Sequence, residues 1–224
     1  MKLGILGAGM IVREFLPWLT GPESPFKVEA LCSTERSAEE AQALCGQYGV
    51  ARHTTRYDEL LSWVDVVYIA VPNVLHVKYT RAALEAGRHV IVEKPMAPSL
   101  QECDEMIEAA RRTGNKLEVV AQSRCLTPIY RTKKLMESGI AGKLLYTQIN
   151  SFWYRGRSYY DLAWRGQWAS EGGGCTFVHA VHHIDLLAWM AGMPSQVSAM
   201  IGNVSHTNSE EEDLSMAMLR YPNG

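Results

Sequence analysis

From residue 1 to about 121, short β-branched apolar runs alternate with helical patterns, and that alternation leaves few folds open. Strands are predicted at Lys2–Leu6, Lys27–Cys32, Val50–Thr54, Asp65–Val71, His89–Val92 and Lys116–Ala121. Helices are predicted between them, at Met10–Leu19, Ser37–Tyr48, Tyr57–Trp63, Val74–Ala86 and Ser99–Thr113. Strands that regularly exchange with helices form parallel, doubly wound sheets. The unbroken apolar run Val66 to Val71 fits a strand covered on both faces. The expected class is α/β, with a Rossmann domain over residues 1–121.

After residue 122 the rhythm changes. A helix over Pro128–Ser138 leads through Gly139 and Gly142 to a long strand pattern at Lys143–Tyr154. An aromatic and arginine-rich loop, Arg155–Trp168, follows. Gly172-Gly173-Gly174 then precede a helix over about Val178–Met190, and strand-like runs at Gln196–His206 and Leu214–Tyr221 end the sequence. Long strands after βα alternation point to a second domain of α+β type over residues 122–224. Because Leu214–Tyr221 runs into a turn at Pro222-Asn223-Gly224, a continuation of the sheet beyond the given sequence is expected.

Composition removes several classes of function. The net charge of −2 comes with no basic run, so no nucleic-acid footprint is expected. No apolar stretch reaches the roughly 18–20 residues of a membrane helix. Five scattered cysteines without a CxxC pair are the usage of a reducing compartment. The expected location is the cytoplasm.

The sharpest motif is Gly7-Ala8-Gly9-Met10-Ile11-Val12, directly after the first strand and opening a helix. Two glycines allow a tight turn and close approach of a pyrophosphate to the helix N-terminus, where free N–H groups and the dipole favour negative charge. Val12 stands where the third glycine of the dinucleotide fingerprint belongs. At the tip of the second strand, Ser33, Thr34 and Arg36 suit a ribose 2′-phosphate, favouring NADP over NAD. Glu35 beside them offers the opposite choice, a carboxylate for the 2′-hydroxyl. Val71-Pro72-Asn73 with His76, and Glu93-Lys94-Pro95, follow the fourth and fifth strands, at the carboxyl ends where parallel sheets bind ligands. In the glycine-led helix, Val178, His182 and Asp185 would share a face, a histidine and a carboxylate within reach of one hydroxylated ligand. His179 and His183 are also four apart, but no third ligand accompanies them, so no metal site is expected.

Together, GAGMIV, the VPNVLH segment, EKP, Gln122-Ser123-Arg124 and GGG followed by His182-His183-Ile184-Asp185 resemble the glucose–fructose oxidoreductase, inositol dehydrogenase and rhizopine-catabolism (Gfo/Idh/MocA) family. The resemblance implies a Rossmann domain followed by an open-faced, mainly antiparallel sheet that joins copies into dimers or tetramers. It implies NAD or NADP held by Gly7, Gly9, Met10, Ile11, Ser33, Thr34, Arg36, Ala70, Pro72, Asn73, His76, Glu93, Lys94 and Gln122. It further implies Lys94, His182 and Asp185 as the residues that handle a sugar, inositol or related polyol. Val178 departs from the aspartate that many members carry four residues before the histidine.

The expected reaction is hydride transfer between nicotinamide and a carbinol carbon. His182 serves as the base, since the unperturbed pKa of an imidazole, about 6.5, is near working pH, and Lys94 steadies the same oxygen. Lys94 and His182 should then converge on one cleft, which Asp185 faces and His179 does not. Arg155, Arg157, Tyr159, Tyr160 and Trp164 line the substrate pocket or an interface. Two alternatives stand beside this reading: a glycosidase that oxidises and re-reduces transiently with bound NAD, and a non-catalytic dinucleotide sensor.

Overall fold

The computed structural model describes residues 1–222, and these fall into two compact units divided after Val120. The first unit is a six-stranded, all-parallel sheet: β1 Lys2–Leu6, β2 Lys27–Cys32, β3 Arg52–Thr54, β4 Val66–Ile69, β5 His89–Val92 and β6 Leu117–Val119. The strand order is β3-β2-β1-β4-β5-β6. The chain reverses its winding direction between β1 and β4, the switch point at which such sheets open a crevice.

The two apolar faces follow from strand alternation. Leu3 and Ile5 of β1, with Val66 and Tyr68 of β4, meet Val12 and Leu16 of α1 (Met10–Leu19) and Ala41, Leu44 and Cys45 of α2 (Ala38–Tyr48). On the opposite face, Val67 and Ile69 of β4 meet three helices. These are α3 (Tyr57–Trp63) with Leu60 and Leu61, α4 (His76–Glu85) with Ala83 and Leu84, and α5 (Leu100–Thr113) with Met106 and Ala109. Gly4 lets α3 approach closely, since a β-carbon there would lie 2.9 Å from Leu60 Cδ1. α5 begins on a Ser99 cap that accepts the Glu102 N–H, and its last residue precedes a left-handed Gly114.

The second unit contains α6 (Thr127–Glu137), the single turn α7 (Trp168–Glu171), α8 (Val181–Ala191) and an antiparallel pair, β7 (Gln196–Gly202) and β8 (Leu214–Arg220). Three sequence expectations change here. Lys143–Tyr154 has the alternation of a strand but takes part in no ladder among the described residues. Alternation fixes which way side chains point; a strand also needs a partner. The helix expected from Val178 begins at Val181, because Cys175–His179 forms a wide turn closed by the Ala180 N–H on Cys175 O. β7 stops at Gly202 because Asp213 binds the backbone N–H groups of Val204, Ser205 and His206, pulling the chain into a loop. The expected terminal turn includes Asn223 and Gly224, which lie outside the described residues. No helix among the described residues is long and apolar enough to cross a membrane.

Candidate functional site

In the first unit, the sheet's hydrogen bonding runs one rung past the ends of the strands. Gly7 N donates to Cys32 O at 2.8 Å, Ser33 N to Thr54 O at 3.1 Å, Ala70 N to Leu6 O at 2.9 Å, and Glu93 N to Ile69 O at 3.0 Å. These four residues begin the loops at the carboxyl edge, so each loop leaves from a fixed point.

At the switch point the tips of β1 and β4 nearly touch. Gly7 has φ +121, and a β-carbon on it would sit 2.3 Å from Ala70 O. Only glycine accommodates both the conformation and the approach. Gly9 differs: nothing lies within 4 Å of where its β-carbon would project. It caps α1 with no side-chain cap bond. The first-turn N–H groups of a helix lack intrahelical partners, and open space beside a glycine there fits a pyrophosphate. Met10 and Ile11 continue this turn, with Met10 largely exposed.

At the β2 tip, the Ser33 hydroxyl is buried, donating to Thr34 O at 3.1 Å and lying 2.9 Å from His53 Nε2. Burial lowers the His53 pKa, and the Glu35 charge opposes the shift. Thr34 is paired with Ser37, and the Glu35 carboxylate accepts from the Thr55 hydroxyl at 2.6 Å. Arg36 is exposed in the short turn Glu35–Ser37.

After β4, Pro72 precedes the turn Asn73–Leu75, where the Asn73 side-chain oxygen accepts the Val74 N–H. His76 is not at the surface. It is 1% exposed, with Nε2 3.0 Å from Val71 O and Nδ1 3.0 Å from Pro95 O. Burial pushes its pKa down. The imidazole therefore ties the loop after β4 to the loop after β5. Glu93 is likewise interior, accepting from Tyr68 Oη at 2.6 Å and from Lys94 N at 3.3 Å. Both side chains were expected to meet the cofactor, and both instead hold the loops that carry Asn73 and the half-buried Lys94.

In the second unit, His182 lies in the first turn of α8, its ring 6.1 Å from that of Trp153. Asp185, one turn on, is bound by both the Nε and a terminal nitrogen of Arg124, and Arg124 lies over the Trp189 ring. Arg124 belongs to the short turn Gln122–Cys125, where Gln122 is exposed. His179 Nε2 is 3.2 Å from Tyr159 Oη. Val178 lies in the wide turn, its N–H bonded to Gly174 O. The aromatic–arginine loop packs on itself: Arg165 stacks over Trp164 and Tyr159, and Arg155 over Tyr159. Among the described residues, no three His, Cys, Asp or Glu side chains group as a metal site.

Residues 1–121 match the profile of an oxidoreductase family with an NAD-binding Rossmann fold, GFO_IDH_MocA, and residues 129–224 match its C-terminal domain. The chain belongs to the Gfo/Idh/MocA family. Among Gfo/Idh/MocA relatives, 1,5-anhydro-D-fructose reductase of Ensifer adhaerens is 28% identical over all of this chain and 66% of its own length. A 1-carboxy-3-chloro-3,4-dihydroxycyclohexa-1,5-diene dehydrogenase of Comamonas testosteroni is 35% identical over 72% of this chain and 40% of its own. The WlbA dehydrogenase of Bordetella pertussis, solved in complex with NADH and UDP-GlcNAcA, superposes with a TM-score of 0.92 at 30% identity. That match covers all of this chain and 64% of the other. The chain thus spans from two fifths to two thirds of the length of these relatives.

Within this Gfo/Idh/MocA chain, sequence reasoning overlooked one feature, the buried pair Glu211 and Glu212 beneath the triple glycine.

Proposed function

We propose that the protein is an NAD(P)-dependent oxidoreductase acting on a CH–OH group of a sugar, inositol or related polyol. The observation that carries this reading is the carboxyl edge of the first unit. There Gly9 leaves open space beside the start of α1, and Lys94 leaves from a loop pinned at Glu93. A bound nicotinamide supplies the hydride chemistry. The chain's own part is to hold and move a proton: His182 takes it from the substrate hydroxyl during oxidation and returns it during reduction. Lys94 donates a hydrogen bond to the same oxygen and steadies its developing negative charge. Asp185, gripped by Arg124, fixes the turn of α8 that follows His182. Arg36 at the β2 tip favours a 2′-phosphate, and thus NADP over NAD.

The test is an absorbance screen at 340 nm over free sugars, inositols and UDP-GlcNAcA with each dinucleotide. Turnover that His182→Ala and Lys94→Ala each reduce by two orders of magnitude or more supports the reading. Undiminished turnover in either variant refutes the assigned role. A second reading is a glycosidase that oxidises and re-reduces transiently with bound NAD; a relative named 2,7-anhydro-N-acetylneuraminate hydratase, of Mediterraneibacter gnavus, 30% identical over 75% of this chain, carries the name of a reaction with no net redox change. Substrate consumption without 340 nm change would select it. Assembly of copies through β7–β8 also belongs to the proposal. Its support is apolar exposure along both strands, including Val197, Met200, Met216 and Met218. Sedimentation as a monomer at all concentrations would count against it.

A further inference from the structure

Among the described residues of the second unit, the most deeply buried side chains are three carboxylates: Glu171, Glu211 and Glu212. Burying acids is costly unless their oxygens are bonded, and these are. Glu171 accepts from Arg165 at 2.8 Å and from Gly166 N at 2.7 Å. The other two are spent on one short stretch of backbone. Gly173 N donates to Glu211 Oε1 at 3.1 Å, Gly174 N to Glu212 Oε2 at 2.9 Å, Cys175 N to the Glu212 main-chain oxygen at 2.9 Å, and Thr176 N to Glu212 Oε1 at 3.0 Å. Four consecutive N–H groups, two before the wide turn and two in its first residues, thus end on two adjacent residues that precede β8. The fit is steric as well: a β-carbon on Gly174 would lie 2.1 Å from Glu212 O.

We propose that Glu212, assisted by Glu211, is a positioning residue for His182: it anchors the backbone from which the wide turn and α8 are launched. Main-chain bonds carry the anchor towards His182: Val178 N to Gly174 O, Ala180 N to Cys175 O and Ile184 N to Ala180 O. The carboxylate occupies the place an anion takes at a helix start, so this end of the segment is closed to ligand. Glu211 faces Glu171, Glu212 and Glu210, with burial its largest perturbation, and Gly173 N–H opposes them. The catalytic importance of the anchor rests on the function proposed above; the anchor itself does not.

The test reads His182 directly by imidazole ¹H–¹⁵N NMR of the full chain, its signal assigned with His182→Ala. Glu212→Gln places an amide NH₂ against an N–H donor and loses one of the two side-chain bonds. Gly174→Ala presses on the same contact from the other side. Both are expected to shift and broaden the His182 ring signals while those of His53, His76 and His89 stay in place. Glu211→Gln keeps an acceptor for Gly173 N–H and is expected to leave His182 near its parent position. His182 signals unmoved in folded Glu212→Gln and Gly174→Ala overturn the proposal. So does an equal displacement by Glu211→Gln, which would show that His182 senses charge and not the anchor. If His182→Ala turns over substrate normally, the proposed function fails and the NMR result still decides the anchor.

Discussion

Gly7 and Gly9 sit two residues apart in one turn, yet their replacement by alanine should fail in opposite ways. At Gly7 the added methyl group meets Ala70 O at 2.3 Å, and φ +121 is a conformation L side chains avoid. Strain of that kind costs ~1–3 kcal/mol, and pressing an atom into packed backbone costs a similar ~1–3 kcal/mol. The combined loss of about 2–6 kcal/mol is a large share of a domain's total of roughly 5–15 kcal/mol. Melting of the first unit should fall by about 10 °C or more. At Gly9 the new methyl group enters open space, and the small loss at a helix cap is offset by a less flexible unfolded chain. Stability should change by no more than about 0.5 kcal/mol. The methyl group would stand where the pyrophosphate must approach, so NADH affinity should fall at least tenfold, about 1.4 kcal/mol. Thermal melts and NADH fluorescence titrations separate the two. A Gly9→Ala variant that binds NADH like the parent refutes the placement of the pyrophosphate, and a Gly7→Ala variant that melts like the parent refutes the close approach.

Arg36→Ala should weaken NADP binding by about 1–3 kcal/mol and leave NAD nearly unchanged, as titration of both cofactors will show; equal losses would remove the 2′-phosphate argument. Glu211 has its pKa raised from 4.5 to about 7 by burial first and by Glu171 next. The folded state therefore holds the proton more tightly, so its contribution to stability is complete below pH 4.5 and is lost as pH rises through about 7. Glu211→Gln should flatten melting temperature over that window, with a gain of at most about 3 kcal/mol at neutral pH; a parent-like slope would contradict it. Asp185→Asn breaks a half-buried two-point pair with Arg124 and should cost about 1–2 kcal/mol in denaturant melts of the second unit.

Much of the first unit was legible because its strands carry their own signal. Short apolar runs mark β1, β2, β4 and β5, and α1 and α3 were read to the residue. The glycine turn was legible for the same reason, since it lies where a strand gives way to a helix. What escaped depends on partners distant in sequence. His76 reads as a polar residue beside a ligand edge, and the carbonyls of Val71 and of Pro95, the latter nineteen positions away, hold it inward. Lys143–Tyr154 alternates like a strand and pairs with none among the described residues. Nothing in the run Glu210-Glu211-Glu212-Asp213 signals that Glu211 and Glu212 are buried against glycines thirty-eight positions earlier. The wide turn at Cys175–His179 is set by that anchoring and has no periodicity to betray it.

The rungs that extend the parallel sheet past its strands also set a clock. The amides of Gly7, Ser33, Ala70 and Glu93 are bonded to the neighbouring strand, so they exchange with deuterium only when the sheet itself opens. The residues just beyond, Gly9, Thr34 and Arg36, are exposed and have no such tie to a neighbouring strand. Protection should therefore drop from the slowest class to the fastest within two or three positions along each of the first two loops. That sharp boundary means admitting a dinucleotide requires no loosening of the frame, and cofactor can come and go on a timescale far shorter than the lifetime of the fold.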